Sequence, residues 1–150
     1  TNFEEQVAQV LRESNLRPDC LKLEITESVF MENFEAVTAV INQLHLLGVQ
    51  VFIDDFGTGY SSLSYLHHFP IDAVKIDRSF ISGIDNDRGG NEIVQAILKM
   101  SQGLGMRIIA EGVETAAQHS RLKTMGCEFK QGFLISRPLA PEEFERFFAV

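Results

Sequence analysis

Ile53-Asp54-Asp55-Phe56-Gly57-Thr58-Gly59-Tyr60-Ser61-Ser62 decides how this chain is read. The run before it, Val49-Gln50-Val51-Phe52-Ile53, is apolar and β-branched, as a strand is. Two adjacent carboxylates close that strand, and a loop with two glycines follows at once. Successive strand side chains point to opposite faces, so Asp54 and Asp55 cannot both be ordinary surface residues of a regular strand. One faces inward unless the strand ends there, and an inward carboxylate needs a cation or several donors. A metal site meets that need. An Asp-rich turn capping the next helix is the alternative this stretch alone leaves open.

Strand-like and helix-like segments alternate on both sides of it. The spacing of Phe3, Val7, Val10 and Leu11 predicts a helix over 3–13, and the short apolar run 20–25 after Pro18-Asp19 predicts a strand. Phe34, Val37, Val40, Ile41, Leu44 and Leu47 form a helical stripe over 34–47, with Gly48 where a C-cap belongs. A strand over 49–54, a short helix over 62–67 and a strand over 73–77 come next. Helices over 92–104 and 116–125 then alternate with strands over 107–110 and 128–133. Pro141, followed by Glu142 and Glu143, opens a last helix through Phe148. Five strands alternating with helices imply parallel βαβ units.

The totals describe one globular domain. At 150 residues, with 45% hydrophobic and 23% charged content, the chain can build a core. No apolar run approaches the roughly 18 residues needed to cross a bilayer. The chain opens on Thr1 with no signal peptide, so it reads as a piece of a longer cytoplasmic protein. Cys20 and Cys127 form no disulfide framework or metal motif and read as buried free thiols. The net charge of −8 argues against long nucleic acid, which wants a basic stripe. A small anionic ligand held through cations stays possible.

An open doubly wound sheet and part of a (β/α)8 barrel both fit this alternation. Polar residues favour the barrel, because Glu24, Asp54, Lys75, Glu111 and Gln131 each fall near the carboxyl end of a different predicted strand. In a barrel those ends converge on the face that carries active sites. An open sheet would gather its site near one switch point. A whole barrel takes about 250 residues, so five βα units are its C-terminal part.

Glu24, Asp54, Asp55 and Glu111 are oxygen donors of the kind Mg2+ or Mn2+ selects. Paired carboxylates can divide two metals about 3.5–4 Å apart, an arrangement suited to phosphoester hydrolysis. Lys75, among these acids, either stabilises a hydroxide or phosphate oxygen or forms a structural ion pair. Asp77 either shares its face or caps the segment beginning at Arg78. Glu114 is as readily a loop anchor as a ligand. Gly57 and Gly59 give the loop freedom to close, though a tight turn would also use them. His45, His67, His68 and His119 lie on helical segments, with solvated or packing roles.

Leu23-Glu24-Ile25-Thr26-Glu27-Ser28, the Asp54 to Ser62 run, Lys75-Ile76-Asp77, Ala110-Glu111-Gly112-Val113-Glu114-Thr115 and Gln131-Gly132-Phe133 resemble, in order, the motifs of the EAL family. Its members are bacterial phosphodiesterases that linearise cyclic di-GMP. The resemblance implies a TIM-like barrel and metal-assisted hydrolysis of one phosphodiester bond, giving pGpG. It implies Glu24 and Asp54 as ligands of one Mg2+ or Mn2+, with Asp54 shared to a second metal helped by Asp55 and Glu111. It implies Lys75 holding the attacking water and Gln131 completing the site. Glu27 would anchor the mobile loop Phe56 to Ser62, with Gly57, Thr58 and Gly59 in it, and Glu114 would either support the ligands from behind or act on the substrate side.

The Glu-Ala-Leu motif and an early Asn ligand of that family are missing from this chain, with its first three strands. Residues 1–150 are thus expected to be the C-terminal portion of such a barrel, inactive as a fragment. The exposed side is expected to drive homo-oligomerisation, and sensory or GGDEF domains are expected in the parent protein. A non-enzymatic cyclic di-GMP receptor, or a degenerate regulatory domain, is the alternative.

Overall fold

Apolar residues at every second strand position build the sheet from one side. The computed structural model describes residues 2–58, 70–84 and 88–148. Five strands are present among them: β1 (Lys22–Thr26), β2 (Gln50–Phe56), β3 (Ala73–Ile76), β4 (Arg107–Ala110) and β5 (Phe129–Lys130). They form one sheet in the order β1-β2-β3-β4-β5, and every pair is parallel. Val51 and Ile53, Val74 and Ile76, Ile108 and Ala110 join the core on one face. The helices α1 (Phe3–Ser14), α2 (Glu27–Glu32), α3 (Phe34–Leu46), α4 (Arg78–Ser82), α5 (Arg88–Gly103), α6 (Ala116–Thr124) and α7 (Pro141–Phe148) complete the described elements. Ile41 and Leu44 of α3, Val94 and Leu98 of α5 and Leu122 of α6 fill that core. Each such aliphatic side chain contributes about 1.5–3 kcal/mol on burial, so this face holds the sheet together. The other face is released for polar residues.

Sequential strand order without reversal is the arrangement of a barrel wall, not of a doubly wound sheet with a switch point. The fold is the C-terminal five βα units of a TIM-like barrel. β1 and β5 are the edge strands. A cavity of about 430 Å³ lined by Phe3, Leu23, Ile25, Val37 and Val40 opens beside β1. At the far side Phe133, Ile135, Phe144 and Phe147 are exposed.

Several boundaries differ from expectation. Pro18–Cys20 form a 3-10 turn, so β1 starts at Lys22, and Cys20 is exposed while Cys127 alone is a buried thiol. β5 covers two residues of the six expected. α5 begins at Arg88, four residues before the expected start, through Gly89 and Gly90 that no propensity rule would place in a helix. α2 and α4 are too short to show a period, which is why spacing does not announce them. The helix expected over 62–67, with His67 and His68, lies outside the described residues. No helix among the described residues is long and apolar enough to cross a membrane.

The decisive difference is in β2, which runs on to Phe56. Its register against β3 shifts between Ile53 and Phe56: three steps on β2 oppose two on β3, from Val74 to Ile76. Asp55 absorbs the extra residue with φ +54, the left-handed region that few non-glycine residues adopt. The strict alternation expected from the sequence therefore fails here, and the two aspartates turn toward one place.

Candidate metal centre at the strand carboxyl ends

Lys75, on β3 and nearly buried, is the hub of the polar face. Its Nζ donates to Glu24 Oε2 of β1 at 2.7 Å, lies 3.0 Å from Asp54 Oδ1 of β2, and lies 2.8 Å from Glu111 Oε1 just beyond β4. Four neighbouring strands thus send one side chain each to a single point, because parallel strands in sequential order align their carboxyl ends. Burial alone would lower the Lys75 ammonium, but its hydrogen bonds to Glu111, Glu24 and Asp54 outweigh it and hold the group well above its usual range. Lys75 is a fixed cation and a donor.

The acids outnumber it. Oxygens of Asp54, Asp55 and Glu111 all lie within 4.8 Å of one another. Burial raises the Glu111 carboxyl against the pull of Lys75, with Asp54 and Glu24 adding repulsion. Asp55 is raised by loss of solvent at the bulge and by Asp54 and Asp77 beside it. Four carboxylates facing one ammonium retain excess negative charge, and each acid that engages Lys75 does so through one oxygen and has a second. A hard divalent cation fits that donor set.

Around this cluster the other expected residues take definite places. Glu27, at the start of α2, is buried, and its Oε2 accepts from the Gly57 amide at 2.8 Å. Gly57 has φ +97, and a Cβ there would lie 2.8 Å from Phe80 Cε2. Thr58 Oγ1 donates to the Asp55 carbonyl at 2.8 Å. Gly59 lies outside the described residues. Asp77 is the N-cap of α4: the Ser79 hydroxyl and, at 3.0 Å, the Ser79 amide donate to its carboxylate, and these bonds, the hydroxyl first, hold it low. Glu114 pairs with Arg78 at 3.2 Å. Gln131, one residue past β5, lines a cavity of about 230 Å³ with Glu111, Glu114, Phe133 and Arg78. Arg78 and Phe80 have no site role in the sequence reading, where Arg78 appears only as the start of a segment that Asp77 could cap. Their position directly after β3, beside Asp77, was the available signal.

His45 and His119, the histidines among the described residues, stay away from the cluster. His45 Nε2 pairs with Asp72 Oδ2 at 2.9 Å at the amino ends of the strands, a packing role. His119 sits on α6.

A sequentially ordered parallel barrel wall with an acid-rich centre at its carboxyl ends defines a class of metal-type barrel sites. Comparison with known proteins narrows it. The EAL domain family model matches residues 1–138, and the chain belongs to the EAL family. It is 46% identical over 145 residues to the cyclic di-GMP phosphodiesterase NbdA of Pseudomonas aeruginosa, covering 95% of this chain and 18% of that protein. The crystal structure of the EAL domain of Mycobacterium smegmatis DcpA superposes with a TM-score of 0.92 at 42% identity, covering 98% of this chain and 66% of that one. A manganese and cyclic di-GMP complex of Klebsiella pneumoniae BlrP1 superposes with a TM-score of 0.84 at 35% identity, covering 89% of this chain and 34% of that one. The chain spans less than a fifth of the length of NbdA.

Proposed function

We propose that the intact domain containing this chain hydrolyses cyclic di-GMP to linear pGpG with Mg2+ or Mn2+ in a two-metal site. The observation that carries this reading is the convergence of Glu24, Asp54 and Glu111 on Lys75 at the carboxyl ends of successive strands, with Asp55 beside Asp54 and Glu111. The manganese and cyclic di-GMP bound to the related BlrP1, and the phosphodiesterase names of relatives such as NbdA, support it.

Glu24, Asp54, Asp55 and Glu111 would hold the cations, which when bound supply Lewis acidity and acidify water. The chain's own contribution is placement. Lys75, held by its three acids, donates to the attacking water or a phosphate oxygen. Glu27 fixes the Gly57 amide and so the start of the loop bearing Thr58. Gln131 and Glu114 flank Glu111 on the substrate side, and Asp77 keeps α4 in register behind Lys75.

We read residues 1–150 as the C-terminal part of one barrel domain, closed by preceding strands along β1. On this reading the fragment alone is inactive, its open side favours association with a second copy, and the parent protein works in the cytoplasm beside sensory or GGDEF domains.

Chromatography of cyclic di-GMP incubated with the intact protein and Mn2+ tests the activity, with linear pGpG as the expected product. Asp54→Asn should abolish that product while leaving the far-ultraviolet circular dichroism in place. Wild-type turnover in this variant would sink the two-metal assignment. Intact dinucleotide retained by the wild-type protein would make the domain a receptor.

A further inference from the structure

The loop from Glu111 to Thr115 carries an acid of the centre, and its backbone is tied down on three sides. The Glu111 amide donates to Ile76 O of β3 at 3.1 Å, and the Val113 amide donates to Gln131 O beyond β5 at 3.1 Å. The Glu114 and Thr115 amides donate to Gln118 Oε1 at 2.8 and 3.0 Å. Gly132 presses on Val113 from the β5 side, since a Cβ there would lie 2.7 Å from Val113 C. Between these ties Gly112 turns the chain with φ +67.

The stem of Arg78 occupies the space above that turn. A Cβ on Gly112 would lie 2.7 Å from Arg78 Cβ and 2.9 Å from its Cδ, and closer still to its Cγ. Beyond the stem, the guanidinium reaches Glu114 at 3.2 Å. Arg78 thus spans the loop from its left-handed turn to its far carboxylate. We propose that Arg78 is a positioning residue: it clamps the loop after β4 so that Glu111 stays aimed at Asp54, Asp55 and Lys75. It acts through Gly112 and Glu114 and does not touch the reacting atoms. Because the Arg78 side chain is 65% exposed, its ion pair contributes little to global stability. Its effect is concentrated on the loop.

This inference rests on the metal reading above for its consequence but not for the clamp itself, and two measurements separate them. Hydrogen exchange on the metal-free intact protein reads the clamp. Arg78→Ala should speed exchange of the amides at 112–115 by about tenfold or more with other core amides unchanged, and Arg78→Lys, which keeps a stem and a cation, should recover most of the protection. Unchanged exchange in Arg78→Ala, or loosening spread evenly over the core, would overturn the clamp. Calorimetric titration with Mn2+ alone reads the consequence. Arg78→Ala should weaken binding about tenfold, and Arg78→Lys should restore it. Wild-type affinity in Arg78→Ala overturns the link to Glu111, whereas a wild-type protein that binds no Mn2+ overturns the metal reading while exchange still decides the clamp.

Discussion

The two ends of the strands each pair carboxylates with a basic group, and they do opposite things with the pair. At the amino ends, Asp72 Oδ2 accepts the Val51 amide at 2.8 Å and meets His45, while the Asp72 backbone bonds Val51 O and the Arg107 amide. One acid stitches β2 to β3 and β3 to β4, and its needs are met. At the carboxyl ends Lys75 faces more acid than it can neutralise, and the carboxyls of Glu111 and Asp55 are raised, first by loss of solvent and then by the neighbouring acids. Satisfied charge marks a joint, and surplus charge of one sign marks a place that waits for a ligand. The contrast also separates residues that matter for stability from those that matter for chemistry.

The sharpest way to break this comparison is Lys75→Met. Losing the one cation leaves Glu24, Asp54 and Glu111 facing each other in a half-buried space, which should cost the metal-free fold about 3–5 kcal/mol. Added Mn2+ should return much of that stability, while turnover stays down by about 10²–10³-fold. Urea melts with and without the ion, beside the product assay, decide it, and a variant equally stable without metal would show that the acids do not strain the fold. Next in size is Glu27→Ala, which strips the Gly57 amide of its acceptor at a cost of about 1–3 kcal/mol and should lower turnover with it. Unaltered turnover would confine Glu27 to the joints.

Asp72→Ala should cost about 1–2 kcal/mol in the same melts and leave kcat and Mn2+ affinity alone. A fall in kcat there would erase the distinction between the ends. The smallest effect is on pH. Glu111 and Asp55 hold their protons more tightly folded than unfolded, so their contribution favours the metal-free fold at acid pH and is lost as pH rises through their folded values. Lys75, also raised, contributes stability present below about pH 10 and lost only in strong alkali. The cation must displace protons from the two raised acids, so calorimetric Mn2+ affinity should drop about tenfold as pH falls from 7 to 5. Asp55→Asn should flatten that slope, and a flat slope in the wild-type protein would remove Asp55 and Glu111 from the competition.

Much of this was readable in advance, and for identifiable reasons. Short apolar runs such as 49–53 and 107–110 marked the strands, and their alternation with helical stripes implied parallel pairing. Polar residues at five strand ends then pointed to a barrel. What periodicity could not supply was register. The slip in β2 depends on how Ile53 to Phe56 meet Val74 to Ile76, a long-range pairing with no local signature. The short helix Arg78–Ser82 was signalled only by the possible Asp77 cap, since five residues cannot display a period, and nothing local told what Arg78 would touch.

The bulge at Asp55 has a consequence for how such a site can be lost. Neighbours in the chain became neighbours in space through a phase error of one residue, so the site is encoded partly in counting. Removing a single residue near the end of β2 would rotate the loop out of step and scatter the acids without altering any of their side chains. A sequence comparison that scores only matched letters would still find every acid present. The centre can therefore be silenced by an edit that leaves its whole vocabulary intact and changes only the metre.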